Sequence, residues 1–97
     1  MKAKLEIIGG PLDGTEAVVS GETTIGRDEG CAVSVPLDRH MSKKHAVLRP
    51  YGDGYVLEDL RSTNGTFFDD EPILKPVRVA GGEIFKLGRT LVKIDYA

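Results

Sequence analysis

The sequence predicts an all-β domain, an antiparallel β-sandwich or small barrel of about ten short strands. Three observations support this. First, no stretch places apolar residues at helical spacing. Second, several short runs alternate with period two, as in Gly54–Asp59, where Tyr55 and Leu57 share one face and Val56 and Glu58 the other. Third, clusters of Gly, Pro, Asp and Asn separate these runs, as is typical of sandwiches and small barrels.

Taken in chain order, the runs give ten candidate strands. They are Lys4–Ile8, Glu16–Ser20, Thr23–Gly26, Val33–Val35, His45–Pro50, Gly54–Asp59, Thr66–Phe68, Val77–Val79, Glu83–Leu87 and Thr90–Tyr96. The longer gaps at 27–32 and 60–65 should gather at the ends of the sandwich. Loops held by a rigid sheet are a common location for binding sites.

Length and composition indicate one globular domain over 1–97. Of the 97 residues, 40% are hydrophobic and 29% are charged. The net charge of −2 argues against a general nucleic-acid or membrane binder. The single cysteine, Cys31, cannot form a disulfide within the chain, which favours a reducing compartment. Neither a membrane-spanning run nor a signal peptide is evident, so we expect a cytoplasmic protein.

Three kinds of chemistry can be tested against the sequence. Gly9 to Thr15 has the glycine spacing of a phosphate loop, but it lacks the lysine and is followed by a strand pattern, so a hairpin loop is favoured. Ser42 and His45 lack the strand-to-helix elbow of a hydrolase. His40, His45 and Cys31 do not have metal-site spacing. We therefore expect no enzyme activity, no metal and no cofactor.

Three separated fragments do suggest a binding site. Arg27 follows one predicted strand, Ser42 and Lys43 precede another, and the segment 62–65 (Ser-Thr-Asn-Gly) connects two more. Each has an ordinary alternative: Arg27 as a solvated charge, Ser42 as a turn cap, and Asn64-Gly65 as a type I′ hairpin turn. Brought together at one end of a sandwich, they would supply a guanidinium, an ammonium, hydroxyls and a carboxamide. Such donors suit a phosphate dianion and the peptide that carries it.

These motifs resemble the forkhead-associated (FHA) domain family. The resemblance rests on Gly26-Arg27, on the spacing from Ser42 to His45, on the segment 62–66 (Ser-Thr-Asn-Gly-Thr) and on the closing strands after Val79. It covers roughly residues 5–96. It implies an eleven-stranded β-sandwich that binds phosphothreonine peptides, without enzymatic activity, in Ser/Thr kinase signalling.

The resemblance also implies a role for individual residues. Arg27 and Ser42 would hold the phosphate, Thr63 would approach the phosphothreonine, and Asn64 would bond to the peptide backbone. Gly26, His45 and Gly65 would support the binding loops. Many relatives carry arginine directly after the motif serine, whereas this chain has Lys43, which can donate to phosphate without the planar fork.

Preference for residues beside the phosphothreonine should come from exposed loop residues, namely Asp38, Arg39, His40 and Arg61. Their basic groups suggest tolerance of an acidic residue after the phosphothreonine. The expected partner is thus a phosphothreonine-containing protein or peptide, with no nucleic acid and no membrane. The domain is expected to be monomeric in isolation, either alone or as a module of a larger protein.

Two other functions remain open at this point. One is an interaction module that binds an unphosphorylated partner through its sheet faces. The other is nucleic-acid binding through Arg39, Lys43, Lys44 and Arg49, although no aromatic platform lies nearby.

Overall fold

Every regular element in the computed structural model, which describes residues 2–96, is a β-strand. The eleven strands are β1 (Lys2–Gly9), β2 (Glu16–Ser20), β3 (Thr23–Gly26), β4 (Val33–Ser34), β5 (Ala46–Tyr51), β6 (Gly54–Asp59), β7 (Thr66–Phe68), β8 (Glu71–Pro72), β9 (Val77–Val79), β10 (Ile84–Leu87) and β11 (Thr90–Tyr96). The predicted all-β class is confirmed. Within the described residues, no helix is long and apolar enough to cross a membrane.

The strands form two sheets that pack as a sandwich. The first sheet has six strands in the order β2-β1-β11-β10-β7-β8, and the second has five in the order β4-β3-β5-β6-β9. All pairs are antiparallel except β3 and β4, which run parallel and align Ile25 with Val33. The sandwich is therefore antiparallel, as predicted, with one parallel pair at its edge.

Alternating side chains from both sheets fill the core between them. The first sheet contributes Leu5 and Ile94, and the second contributes Ile25 and Leu57, each 0–1% exposed. Because successive strand residues point to opposite faces, period two in the sequence becomes a buried and an open face. The full set of buried core residues is Ala3, Leu5, Ile7, Ile25, Val33, Val35, Met41, Ala46, Leu48, Tyr55, Leu57, Val79, Phe85, Leu87, Val92 and Ile94.

The one strand that sequence patterning missed is β8. It has only two residues, and it pairs with β7 across a two-residue turn at Asp69 and Asp70, whose φ angles are +53° and +64°. Positive φ at both central positions is the geometry of a type I′ hairpin, which aspartate tolerates better than most residues. A two-residue strand shows no alternation, so no pattern could reveal it.

The hydroxyl of Tyr96 joins the two sheets. Tyr96 lies on β11, yet its hydroxyl accepts the Tyr55 N–H of β6 at 3.0 Å and donates to the Val79 carbonyl of β9 at 2.5 Å. The side chain of Tyr55 offers a contrast. Its own hydroxyl is buried and has no hydrogen-bond partner among the described residues.

Tyr96→Phe should therefore lower the free energy of unfolding by about 1–3 kcal/mol, because it leaves the Tyr55 N–H and the Val79 carbonyl without a partner. Tyr55→Phe is the matched control. It should change stability by less than about 0.5 kcal/mol, since its hydroxyl makes no bond that is lost. Urea denaturation of both variants measures the difference. Equal losses in the two variants would contradict a sheet-joining role for Tyr96.

Candidate functional site

The loop after β3 is attached to the loop before β5. The Arg27 backbone N–H donates to the Ser42 carbonyl at 3.0 Å, and the Asp28 N–H donates to the Lys43 carbonyl at 3.1 Å. The guanidinium is held as well, because its Nε donates to the Met41 carbonyl at 3.1 Å. Its two terminal nitrogens make no hydrogen bond or ion pair to any other residue between 2 and 96. The Arg27 guanidinium is thus held through its Nε, and its two terminal nitrogens remain available as donors.

The loop between β6 and β7 meets the same segment from the other side. The Thr63 N–H donates to Ser42 Oγ at 2.9 Å, and Asn64 Nδ2 donates to the His40 carbonyl at 2.8 Å. Ser42 Oγ accepts from Thr63, so its hydroxyl hydrogen is still available to donate. The structure therefore brings Arg27, Ser42 and Thr63 together around one point, as the three fragments suggested.

His45 connects the two loops that carry Ser42 and Thr63. The residue is 0% exposed. Its Nδ1 accepts the Ser42 N–H at 3.0 Å, and its Nε2 lies 2.8 Å from the Gly65 carbonyl oxygen. A backbone amide can only donate and a carbonyl can only accept, so Nδ1 carries no proton and Nε2–H donates to Gly65. The ring is thus neutral and contacts the Ser42 amide rather than its hydroxyl, which is not the arrangement of a serine nucleophile with its base.

Asp59 organises the loop that carries Thr63 and Asn64. Its carboxylate accepts the Ser62 hydroxyl at 2.5 Å, the Ser62 N–H at 3.1 Å and the Thr66 hydroxyl at 2.8 Å. Ser62 Oγ in turn accepts the Gly65 N–H at 2.9 Å. Burial alone would raise the pKa of Asp59, but the hydrogen bonds from Ser62 and Thr66 outweigh it and lower that pKa from its usual 3.8.

Gly26 and Cys31 fix the backbone at Lys43. A Cβ added to Gly26 would lie 2.1 Å from the Lys43 carbonyl oxygen and 2.8 Å from Cys31 Sγ, so no larger residue fits there. The Cys31 thiol donates to the same carbonyl at 3.2 Å. Burial, together with the nearby Asp28 carboxylate, raises the pKa of Cys31, which keeps the thiol protonated and able to donate at neutral pH.

Lys43 and Arg27 line one shallow depression. Asp28, Glu29 and Pro36 line it too, so two cations share the space with two carboxylates. Net charge at this point is therefore close to balanced. Any preference for a phosphate must come from how the donors are arranged and not from the local charge alone. Lys44 is exposed in the turn before β5 and does not line this depression.

The residues expected to set peptide preference are in different situations. Arg39 and His40 are exposed in the loop before β5. Arg61 is exposed but lines a separate depression, formed with Glu58, Asp59, Ile73, Leu74, Lys75 and Pro76. The expectation that Asp38 is an exposed loop residue is wrong. It is 1% exposed, and its carboxylate accepts three hydrogen bonds from within the fold.

The alternatives for these motifs can also be compared with the structure. Asn64-Gly65 is not a type I′ turn, because only Gly65 of the pair has a positive φ, at +87°. Gly9 to Thr15 forms the turn between β1 and β2, closed by a 2.8 Å bond from the Gly14 N–H to the Ile7 carbonyl. Arg49, a candidate nucleic-acid contact, is engaged by Glu22 at 2.8 Å and by Glu58 at 3.3 Å.

A family model for the FHA domain matches residues 23–88, which include all three loops of the site. The chain belongs to the FHA domain family. FHA domains are binding modules rather than enzymes. The FHA domain-containing protein FhaB of Mycolicibacterium smegmatis is 33% identical over 92 residues. The match covers 94% of this chain and 59% of FhaB, so the chain spans about three fifths of that relative.

Solved FHA structures agree with this assignment. A structure from work on phosphothreonine-dependent FHA domain interactions superposes with a TM-score of 0.86 at 26% identity, covering 100% of this chain and 98% of its own. Mycobacterium tuberculosis EmbR, in complex with a low-affinity phosphopeptide, also gives a TM-score of 0.86 at 26% identity. That match covers 97% of this chain and 24% of EmbR.

Reasoning from the sequence missed several parts of this FHA site. Asp59 precedes Ser62 by three residues, a spacing at which an aspartate often bonds the backbone of its own loop, so this signal was present. Met41 contributes through its carbonyl, which no side-chain pattern can indicate. Cys31 was considered only for disulfide and metal chemistry, although its thiol donates to the Lys43 carbonyl.

The lowered pKa of Asp59 predicts how FHA loop stability changes with pH. A carboxylate whose folded pKa lies below 3.8 stabilises the fold above that pH, and this contribution disappears as pH falls through the folded pKa. Asp59→Asn should therefore be less stable than the parent at pH 7, and the two should converge as pH drops below about 4. Urea denaturation of both proteins between pH 7 and pH 2.5 measures the gap. A gap that stays constant down to the lowest pH would contradict the role of the charge.

Proposed function

We propose that this FHA chain is a phosphothreonine-peptide-binding module that mediates phosphorylation-dependent protein–protein interaction in Ser/Thr kinase signalling. One observation carries the proposal. Arg27 and Thr63, from two distant loops, are both bonded to the segment 41–42, and the terminal nitrogens of Arg27 and the Ser42 hydroxyl hydrogen stay available. Phosphothreonine-dependent FHA interactions and the phosphopeptide complex of EmbR, both from structural relatives, support it.

The donors divide naturally between the phosphate and the peptide. The Arg27 fork and the Ser42 hydroxyl bind the phosphate oxygens, and Lys43 adds an ammonium as a point charge. Thr63 lies beside the phosphothreonine. Asn64 has its Nδ2 committed to the His40 carbonyl, so its Oδ1 accepts a peptide N–H. Gly26, His45 and Gly65 act only through the loops that they hold.

The expected affinity follows from the number of charged hydrogen bonds. A phosphothreonine carries roughly −1.5 to −2 charges at pH 7. Each hydrogen bond to it contributes about 1.5–3 kcal/mol. After the cost of ordering an extended peptide, three or four such bonds leave about −8 kcal/mol, a micromolar dissociation constant. A glutamate in place of the phosphothreonine offers fewer oxygens and less charge, so it should bind poorly.

The proposal extends to the rest of the module. Residues 1–97, with a core at about 5–96, act as one domain without catalysis, and the isolated domain is monomeric. We place it in the cytoplasm, since Cys31 is a free thiol. Arg39, His40 and Arg61 set the preference for residues that flank the phosphothreonine, including an acidic residue after it. A phosphothreonine peptide library with randomised flanks tests that preference and supplies a defined peptide for the experiments below.

Arg27→Ala should weaken binding of the peptide selected from that library by at least about tenfold, because it removes the forked, charge-assisted contact. Its thermal stability should change little, since the lost side-chain bond to Met41 lies at a loop. Isothermal titration calorimetry with the phosphorylated peptide and its plain threonine counterpart gives the readout. Lys44→Ala, which removes an exposed charge that does not line the depression of Arg27 and Lys43, is the control and should bind like the parent. An Arg27→Ala variant with parental affinity would mean that the site is misassigned.

His45→Ala should lower both the melting temperature and the phosphopeptide affinity. The substitution removes the partner of the part-buried Ser42 N–H and of the part-buried Gly65 carbonyl, at a cost of about 1–3 kcal/mol each. His40→Ala is the matched control for stability, because His40 is exposed and contributes to the site through its backbone carbonyl. Differential scanning calorimetry and the same peptide titration provide both readouts. Lost affinity at an unchanged melting temperature would make His45 a direct ligand instead.

A further inference from the structure

We propose that Asp38 is a positioning residue of the binding site, and that the turn between β10 and β11 is part of the machinery that aims Arg27 and Asn64. This inference rests on the proposed function, because it concerns how the same site is held. Neither Asp38 nor that turn supplies any of the proposed phosphate donors, which are Arg27, Ser42 and Lys43. Both act through the loop between β4 and β5.

The carboxylate of Asp38 is buried and fully engaged by neutral donors. One oxygen, Oδ1, accepts the His40 N–H at 3.0 Å. The other, Oδ2, accepts the Arg89 N–H at 2.9 Å and the Thr90 hydroxyl at 2.6 Å. No ion pair to this carboxylate is found within residues 2–96. A buried charge that relies on three hydrogen bonds alone makes each of them costly to lose.

The two donors to Asp38 Oδ2, Arg89 and Thr90, lie where the β10–β11 turn leads into β11. Thr90 is 0% exposed, so it cannot touch a bound peptide. Gly88 has a φ of +59°, and a Cβ there would lie 2.8 Å from Asp38 Oδ1 and 2.8 Å from the Met41 backbone nitrogen. The turn therefore packs directly against the loop that carries Asp38 and Met41, and only a glycine permits that approach.

On its other side, Asp38 belongs to the turn that contacts two of the proposed peptide-binding residues, Arg27 and Asn64. Asp38 closes a tight turn, since its carbonyl accepts the Met41 N–H at 3.2 Å while its side chain holds the His40 N–H. The bond to the Met41 N–H fixes the peptide unit that carries the His40 carbonyl. The Met41 carbonyl belongs to the next peptide unit along the chain, whose Ser42 N–H is bonded to His45 Nδ1. These carbonyls accept Asn64 Nδ2 and Arg27 Nε respectively. A shift of this turn would move both acceptors, and with them both donors.

A purely structural role would have a different signature. A residue that only stabilises the fold lowers the melting temperature, but leaves the affinity unchanged at temperatures where the protein is fully folded. A positioning residue changes the affinity of the folded protein. It also changes the Arg27 side chain in the free protein, because the bond from Nε to Met41 loosens. That second readout requires no ligand.

The test compares Thr90→Val with Thr90→Ser. Valine removes the hydroxyl that bonds to Asp38 Oδ2 with little change of shape, and serine restores it. We expect Thr90→Val to raise the dissociation constant of the library-selected phosphothreonine peptide by about tenfold and to speed hydrogen exchange of the Arg27 Nε–H, measured by NMR in the free protein. Thr90→Ser should resemble the parent in both readouts. Arg89→Ala, which keeps the backbone N–H used by Asp38, is a neutral control.

Each outcome decides the proposal. A Thr90→Val variant with a lower melting temperature but unchanged affinity and unchanged Arg27 exchange overturns it. If Thr90→Val does not fold, the same two measurements are made on Asp38→Asn. The asparagine carbonyl can still accept from Arg89 and Thr90, while its NH₂ group faces the His40 N–H.

Failure of the proposed function can be told apart from failure of this inference. If the parent selects no phosphothreonine peptide, the proposed function fails while the Arg27 exchange still decides the role of Asp38. Faster exchange in Thr90→Val, or in Asp38→Asn where that variant replaces it, then supports positioning, and unchanged exchange overturns it.

Discussion

The site depends above all on one neutral imidazole. His45 accepts the Ser42 N–H at Nδ1 and donates from Nε2 to the Gly65 carbonyl, so it joins the loop before β5 to the loop after β6. Its own backbone extends the connection, because its N–H donates to the Ile25 carbonyl and its carbonyl accepts the Leu60 N–H, both at 2.9 Å. A proton added at Nδ1 would place two donors face to face and break the contact with Ser42. The geometry of the whole loop cluster thus requires one tautomer of one buried side chain.

Backbone carbonyls, rather than carboxylates, orient the cationic and amide donors of the site. Arg27 is aimed by the Met41 carbonyl, and Asn64 by the His40 carbonyl. A carboxylate partner would neutralise the guanidinium and would have to be displaced by an incoming phosphate. A carbonyl fixes the direction of the side chain and leaves its charge for the ligand. Because the donors are ordered before the ligand arrives, less of the binding free energy is spent on immobilising them.

The sequence predicted those parts of the fold that depend on local alternation, and missed those that depend on contacts between distant residues. In β11, Val92 and Ile94 are buried as period two requires. Arg27, Ser42 and Thr63 could be grouped because short motifs mark each loop. Asp38, in contrast, was expected at the surface, since a charged residue in a loop is usually solvated. Its burial depends on Arg89 and Thr90, about fifty residues away, and no pattern around Asp38 indicates that contact.

An overall charge of −2 repels a phosphopeptide at long range, and Asp28 and Glu29 share the depression of Arg27 and Lys43. At physiological salt, charges farther apart than about 8–10 Å are largely screened, so the distant acidic groups matter little once the ligand is close. Attraction must then come from the few donors within hydrogen-bond distance. Their number and direction favour an anion with several oxygens around one centre, and a planar carboxylate can engage fewer of them. Under the proposed function, the fixed loop geometry, and not the field of the protein, is therefore what suits the donors of an acidic domain to phosphate.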